Sequence, residues 1–204
     1  MDVRHLSFVG PSLDDVDILP RLSRPYVQLL ASQNGFVAFN GGLHVRGAVL
    51  EPQWHSIRAA LEGPDALHKL FDVLTPTDIP FAQDAVGDQF ILRSNLVSRL
   101  DGETGTLQSL NIDLDRFLDA CDTNPVGFLR LQPLLNFQTL GGVLAPGQLL
   151  SVYPPFLIQT KANERSYAAV PAAERIRMLA GFMSETRSLP DGTDVRIKVP
   201  PDGA

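Results

Sequence analysis

Three of the four histidines, His44, His55 and His68, are the first residues here that invite a chemical reading. An imidazole can ligate a metal, carry a proton or act as a general base near neutral pH. Their spacing gives neither a His-Glu-x-x-His nor a His-x-His pattern, and no cysteine ligand accompanies them. His44 is therefore expected on the outer face of a strand, and His55 and His68 on helix surfaces. Two carboxylate pairs, Asp15-Val16-Asp17 and Asp113-Leu114-Asp115, could hold a divalent ion if they shared one strand face. Each instead precedes or enters a helical pattern, where acids interact favourably with the N-terminal dipole. The lone Cys121 falls in register with Leu114, Phe117 and Leu118 at i, i+3, i+4 and i+7, which predicts a core thiol. Gly-x-Ser-x-Gly, Walker-type and Gly-x-Gly-x-x-Gly motifs are missing, and Gly41-Gly42 and Gly141-Gly142 read as turns. Catalysis, a metal and a cofactor are all unexpected on this reading.

Charge narrows the choice of partner. The 204 residues include 17 Lys and Arg against 23 Asp and Glu, a formal charge of -6. Arg21, Arg24, Arg46, Arg58, Arg93 and Arg99 stand singly. Nucleic-acid binding needs clustered cations that displace counterions from phosphates, so direct nucleic-acid binding is not expected. An acidic surface favours a cationic partner. Asp84, Asp88, Asp101 and Glu103, in turn-like segments, are the candidate contact acids. Trp54, the sole tryptophan, could anchor an interface or form the buried side of an amphipathic helix. No stretch approaches the ~18 apolar residues of a membrane span, and the opening MDVRHLSFVG has no signal-peptide core. With a single cysteine, which excludes an intramolecular disulfide, the expectation is a cytoplasmic chain.

These residues need elements to position them. Ser12 to Leu19 reads as a short capped helix ended by Pro20, and Pro25 opens a second helix that stops at Asn34-Gly35. Phe36 to Phe39 reads as a strand. Leu43, Val45, Gly47 and Val49 alternate with His44 and Arg46 in the period of a half-buried strand. Pro52 begins a helix carrying Trp54, Ile57 and Leu61, and Pro64 begins another turn or two with Leu67, Leu70 and Phe71. A meander follows: Ile79 to Ala82, Gln89 to Arg93, Leu96 to Leu100 and Thr106 to Leu110, with turns at 84–88 and 101–105. After the helix containing Phe117 the composition shifts towards Leu, Pro and Gly. A buried strand is expected from Gln148 to Tyr153, a helix after Pro171, and a last strand bearing Val195, Ile197 and Val199.

Two segments carry more than generic information. One is Leu19-Pro20, five residues, then Tyr26-x-x-Leu29-Leu30-x-x-x-Asn34-Gly35; the other is Ile79-Pro80-Phe81-Ala82 with Gly87-Asp88-x-Phe90 and the Gly105 turn. In this order and spacing they resemble the SUKH superfamily, which joins bacterial immunity proteins with fungal cell-wall-synthesis regulators. The likeness covers about residues 12 to 121, and Leu96 to Leu100 lengthens the usual hairpin. The resemblance implies an α+β fold: a bent, mainly antiparallel sheet with helices packed around it. Residues 1–121 would be the SUKH-like core domain, and 122–204 a C-terminal α/β extension on the same domain. It also implies a non-enzymatic protein-binding module. Foremost is an immunity protein neutralising a cognate, basic secreted toxin, such as a nuclease or deaminase, by direct binding. The alternative is a scaffold or regulatory adaptor with several weak partners.

Overall fold

The seven strands that organise this chain follow one another in space as they do in sequence, because each link between neighbours is either a tight turn or a helical excursion that returns to the adjacent strand. The computed structural model describes residues 6–159, 165–190 and 192–193. The strands are β1 (Leu6–Val9), β2 (Phe36–Ala38), β3 (Leu43–Val45), β4 (Ile79–Asp84), β5 (Gln89–Arg93), β6 (Leu96–Leu100) and β7 (Leu107–Ile112). They form one sheet in the order β1-β2-β3-β4-β5-β6-β7, every pair antiparallel. Left-handed backbone closes the hairpins: Asn40 (φ 54°) and Gly41 (φ 96°) after β2, Gly87 (φ 103°) after β4, Ser94 (φ 52°) and Asn95 (φ 66°) after β5. Such turns match the twist of the strands they join. Register shifts between Leu6 and Phe8, Ile79 and Ala82, and Val97 and Ser98 insert bulges that bend the sheet.

Helices cover both faces. They are α1 (Arg24–Ser32), α2 (Ile57–Leu61), α3 (Leu67–Leu70), α4 (Leu114–Thr123), α5 (Pro125–Phe128), α6 (Gln132–Thr139) and α7 (Ala172–Thr186). Alternation along β5 divides the core. Phe90 and Leu92 join Tyr26, Leu30, Phe81, Leu114, Phe117 and Cys121 in the larger cluster. Ile91 points to the other side, where it meets Phe71, Leu100, Leu179 and Met183 in a second cluster. The protein is thus an α+β fold, a bent antiparallel sheet flanked by helices.

The C-terminal third is woven into this frame. Strands β8 (Gln148–Tyr153) and β9 (Ser166–Pro171) pair antiparallel, and the Leu150 N–H donates to the Ala85 carbonyl at the β4–β5 turn, at 2.7 Å. Leu134, Leu144, Leu150 and Val152 pack with Ala85. Leu129 and Leu131 enter the larger core, and Leu179 and Met183 the second. Position 121 lies inside α4, which runs on to Thr123. The expected strand with Val195, Ile197 and Val199 lies outside the described residues.

Three local expectations need correction. The first helical turn is a 3-10 segment, Val16–Arg21, with Pro20 inside it, and its N-cap position is Asp15 rather than Ser12. Asp15 makes no cap bond. It receives two bonds from Arg58, at 2.6 and 2.7 Å. The helix expected from Pro52 splits into a 3-10 turn, Gln53–His55, and the short α2. The strand expected to Val49 stops at Val45, and Gly47 then forms a single parallel bridge with Ser56. By contrast, Asp113 caps α4 by accepting from the Arg116 N–H at 2.9 Å, the role its position predicts.

Candidate functional site

The four turn acids are brought together, although not as solvent-facing contacts. Asp84 is 1% exposed, and its Oδ1 accepts the N–H groups of Val86, Gly87 and Asp88, each at 3.0 Å. A short carboxylate followed by Ala-Val-Gly-Asp thereby builds the β4–β5 turn. Its Oδ2 is buried without a partner. Asp88, also buried, accepts the Gly102 N–H at 3.0 Å and so ties this turn to the one between β6 and β7. Asp101 is half-buried and organises that second turn, accepting from Glu103 N–H at 3.1 Å and Thr104 N–H at 2.9 Å. Glu103 is buried as well. Its two oxygens take the N–H groups of Phe156 (3.0 Å) and Leu157 (2.8 Å). The surface position expected for these acids is therefore corrected for Asp84, Asp88 and Glu103.

Burial dominates the electrostatics. Asp84 is pushed well above the usual carboxylate range, first by burial and then by its neighbour Asp88. Asp88 is raised to about 6, mainly by burial, while the Gly102 N–H works in the opposite direction. The counter-charges are basic. Arg175 of α7 is 4% exposed and donates to the Val86 carbonyl at 3.1 Å. Arg99 is buried over the Phe90 ring, 5.1 Å from its centroid. Arg130 holds a left-handed backbone (φ 54°) and sits 3.9 Å from Asp88. Its side chain is more than half exposed, so this pair is weak.

Asp88, Asp101, Glu103 and Arg130 line one cleft of about 420 Å³. Phe156 and Leu157 line it too, and they remain 42% and 49% exposed. Their side chains stay at the surface because Glu103 fixes their backbone there. The cleft combines apolar anchors with carboxylates whose partners are mostly backbone.

A second polar assembly crosses the sheet near β3. His44, expected to point outward, is 5% exposed, and His55, expected on a helix surface, is fully buried. His68 on α3 is half-buried. Gln83 Nε2 lies 3.2 Å from His44 Nδ1, His44 Nε2 lies 2.9 Å from His55 Nδ1, and His55 Nε2 lies 3.1 Å from the Asn34 carbonyl. Since the amide nitrogen only donates and the carbonyl only accepts, both rings are assigned as neutral Nε2–H tautomers. Gly10, Gly35 and Gly47 form the slot for His55: a Cβ on any of them would come within 2.8 Å of the ring. Trp54 packs on both rings, at 5.2 Å from His44 and 5.3 Å from His55 between centroids, and Phe8 packs on His55 at 5.1 Å.

Burial, Arg46 and the neighbouring ring hold His44 well below its ordinary value, and burial lowers His55. Both rings then stay neutral in the fold while the unfolded chain takes up protons. The stability they contribute is complete above the unfolded value near 6.5 and is lost as pH falls below it, by up to ~1.4 kcal/mol per unit for each ring. Urea denaturation at about pH 7 and about pH 5 should show a smaller acid loss for His44→Gln than for the native chain. Equal losses would refute the neutral pair.

Arg46 completes this second assembly and was also expected to face outward. It is 4% exposed, and donates to the Pro80 carbonyl (2.6 Å), Gln83 Oε1 (2.7 Å) and Gln89 Oε1 (2.8 Å). The alternation around β3 could not reveal this, because that pattern assumes one wet face. Cys121 is buried in the larger core, as its spacing implied, and burial pushes its thiol upwards. Among the described residues, no group of three or more His, Cys, Asp or Glu is placed to hold a metal ion, and no helix is long and apolar enough to cross a membrane.

No family model matches the chain, and no curated protein does. Among solved structures it is similar to the crystal structure of Atu4351 from Agrobacterium tumefaciens. That match has 13% identity and a TM-score of 0.49, covering 84% of this chain and 81% of the other. A likeness at this level carries no inference about what the chain does.

Proposed function

We propose that this chain is a non-enzymatic, SUKH-like protein-binding module. We read it as an immunity protein that holds a basic, secreted toxin in the cytoplasm by direct contact. The observation that carries this reading is the cleft shared by Asp88, Asp101 and Glu103, with Phe156 and Leu157 exposed beside the acids. Interfaces draw most of their energy from a few aromatic or aliphatic anchors, surrounded by polar groups that set orientation. Here the anchors are ordered before binding, since Glu103 clamps their backbone N–H groups.

A cationic side chain entering the cleft would compete with Arg130 for Asp88, and the existing contact of 3.9 Å offers little resistance. Exposed Asp115 and Asp119 on α4 add negative charge that speeds encounter with such a partner. Matched charge at the toxin's active face would exclude its substrate without any chemistry by the binder.

Co-expression with the product of the neighbouring gene is the test. Rescue of growth, with co-purification of a single tight partner, is the expected result. Absence of rescue, or turnover of a substrate by the purified chain, would contradict the proposal. Several partners of micromolar affinity would favour the adaptor role instead.

A further inference from the structure

Away from the acidic cleft, a second cleft of about 480 Å³ lies beside the β3–β4 polar assembly. Its polar lining includes Arg46, Gln83 and Ser56, and its apolar lining includes Trp54, Leu67 and Ile176. Arg46 is the unusual member. It is 4% exposed, and its three bonds all end on neutral oxygens: one backbone carbonyl and two glutamine amides. A guanidinium offers five N–H donors, so two are left over.

Among the described residues, the ion pairs engage Arg21, Arg58, Arg93, Arg130, Arg177 and Arg187, but not Arg46. Burial brings its pKa down to about 10, which still leaves it charged at neutral pH. A buried cation is expensive unless it meets an anion or coordinates one. Arg58, the other cation of this cleft, is already committed to Asp15 and Glu62, and the two carboxylates of the lining are paired as well, Glu62 with Arg21 and Arg58 and Asp65 with Arg177.

We infer that this cleft binds a small organic carboxylate with an apolar body, its carboxylate on the Arg46 guanidinium and its hydrocarbon against Trp54, Leu67 and Ile176. Nη2 spends both its hydrogens on Gln83 and Gln89, so the carboxylate accepts from the Nε–H or the second Nη1–H, a charge-assisted bond that a neutral isostere forms more weakly. The volume falls within the range of small-molecule sites, and the lining mixes many apolar groups with a few convergent polar ones. This site is independent of the acidic cleft, and either can fail without the other.

Trp54 lines the cleft and is the sole tryptophan, so it is a built-in reporter. Its emission should change saturably when the native chain is titrated with hexanoate or 3-phenylpropanoate. Hexanamide, with the same hydrocarbon and no charge, should bind at least about tenfold more weakly. Ala59 is exposed and lines the cleft, so Ala59→Phe fills space without touching Arg46. That variant should melt near the native temperature and lose the saturable response. Equal binding of the amide, an undiminished response in Ala59→Phe, or no saturation up to about 20 mM carboxylate would each overturn the assignment.

Discussion

Phe117→Ala is expected to destabilise the protein by about 3–5 kcal/mol, more than any other single truncation of the α4 stripe. The ring is fully buried between α4 and the sheet. It meets Phe81 of β4 edge-on (5.2 Å, 81°), Phe90 of β5 (4.7 Å, 59°) and Phe128 of α5 (5.6 Å, 63°). Removing it takes away apolar burial, three oriented ring contacts and the volume they enclose. Collapse into the space is restricted, since Phe81 and Phe90 are held by neighbouring strands on both sides. Urea unfolding should show a lowered midpoint with an unchanged slope. A loss below about 1 kcal/mol would mean that the aromatic cluster does not join α4 to the sheet.

Asp88→Asn should change how stability depends on pH. Asp88 titrates near 6 in the fold against 3.8 for a free side chain, so between those values the native state holds a proton that the unfolded chain has lost. Its contribution is therefore most favourable at low pH, and it declines as pH rises through 6. Asparagine keeps an oxygen for the Gly102 N–H and removes the titration. Measured against the native protein, Asp88→Asn should gain about 2 kcal/mol on moving from pH 4 to pH 8. A pH-independent difference would show that Asp88 ionises in the fold as freely as in water.

The meander and α4 were legible in the sequence for reasons the structure makes concrete. Gly87 and Gly105 occupy left-handed backbone where the turns were placed, and Leu114, Phe117 and Cys121 share the buried face their spacing predicts. What stayed hidden depends on long-range contact. The Glu103 carboxylate looks like a solvated turn acid until its partners, 53 and 54 residues further on, are known. His44 and Arg46 look like the wet side of a strand, yet β3 lies inside a sheet covered on both faces. Polar side chains in that position must satisfy one another, as His44, Gln83 and Arg46 do. A faint signal existed in Gly10, Gly35 and Gly47, three glycines from separate segments that enclose one imidazole.

The protein-binding account rests on the ordered apolar pair beside the acidic cleft, and one measurement addresses it most directly. The affinity of the co-purified partner should be determined for the native chain and for Phe156→Ala/Leu157→Ala. These changes spare the backbone N–H groups that Glu103 holds. The account predicts binding about 100-fold weaker with an unchanged melting temperature. Affinity equal to that of the native chain would contradict it and place the contact surface elsewhere.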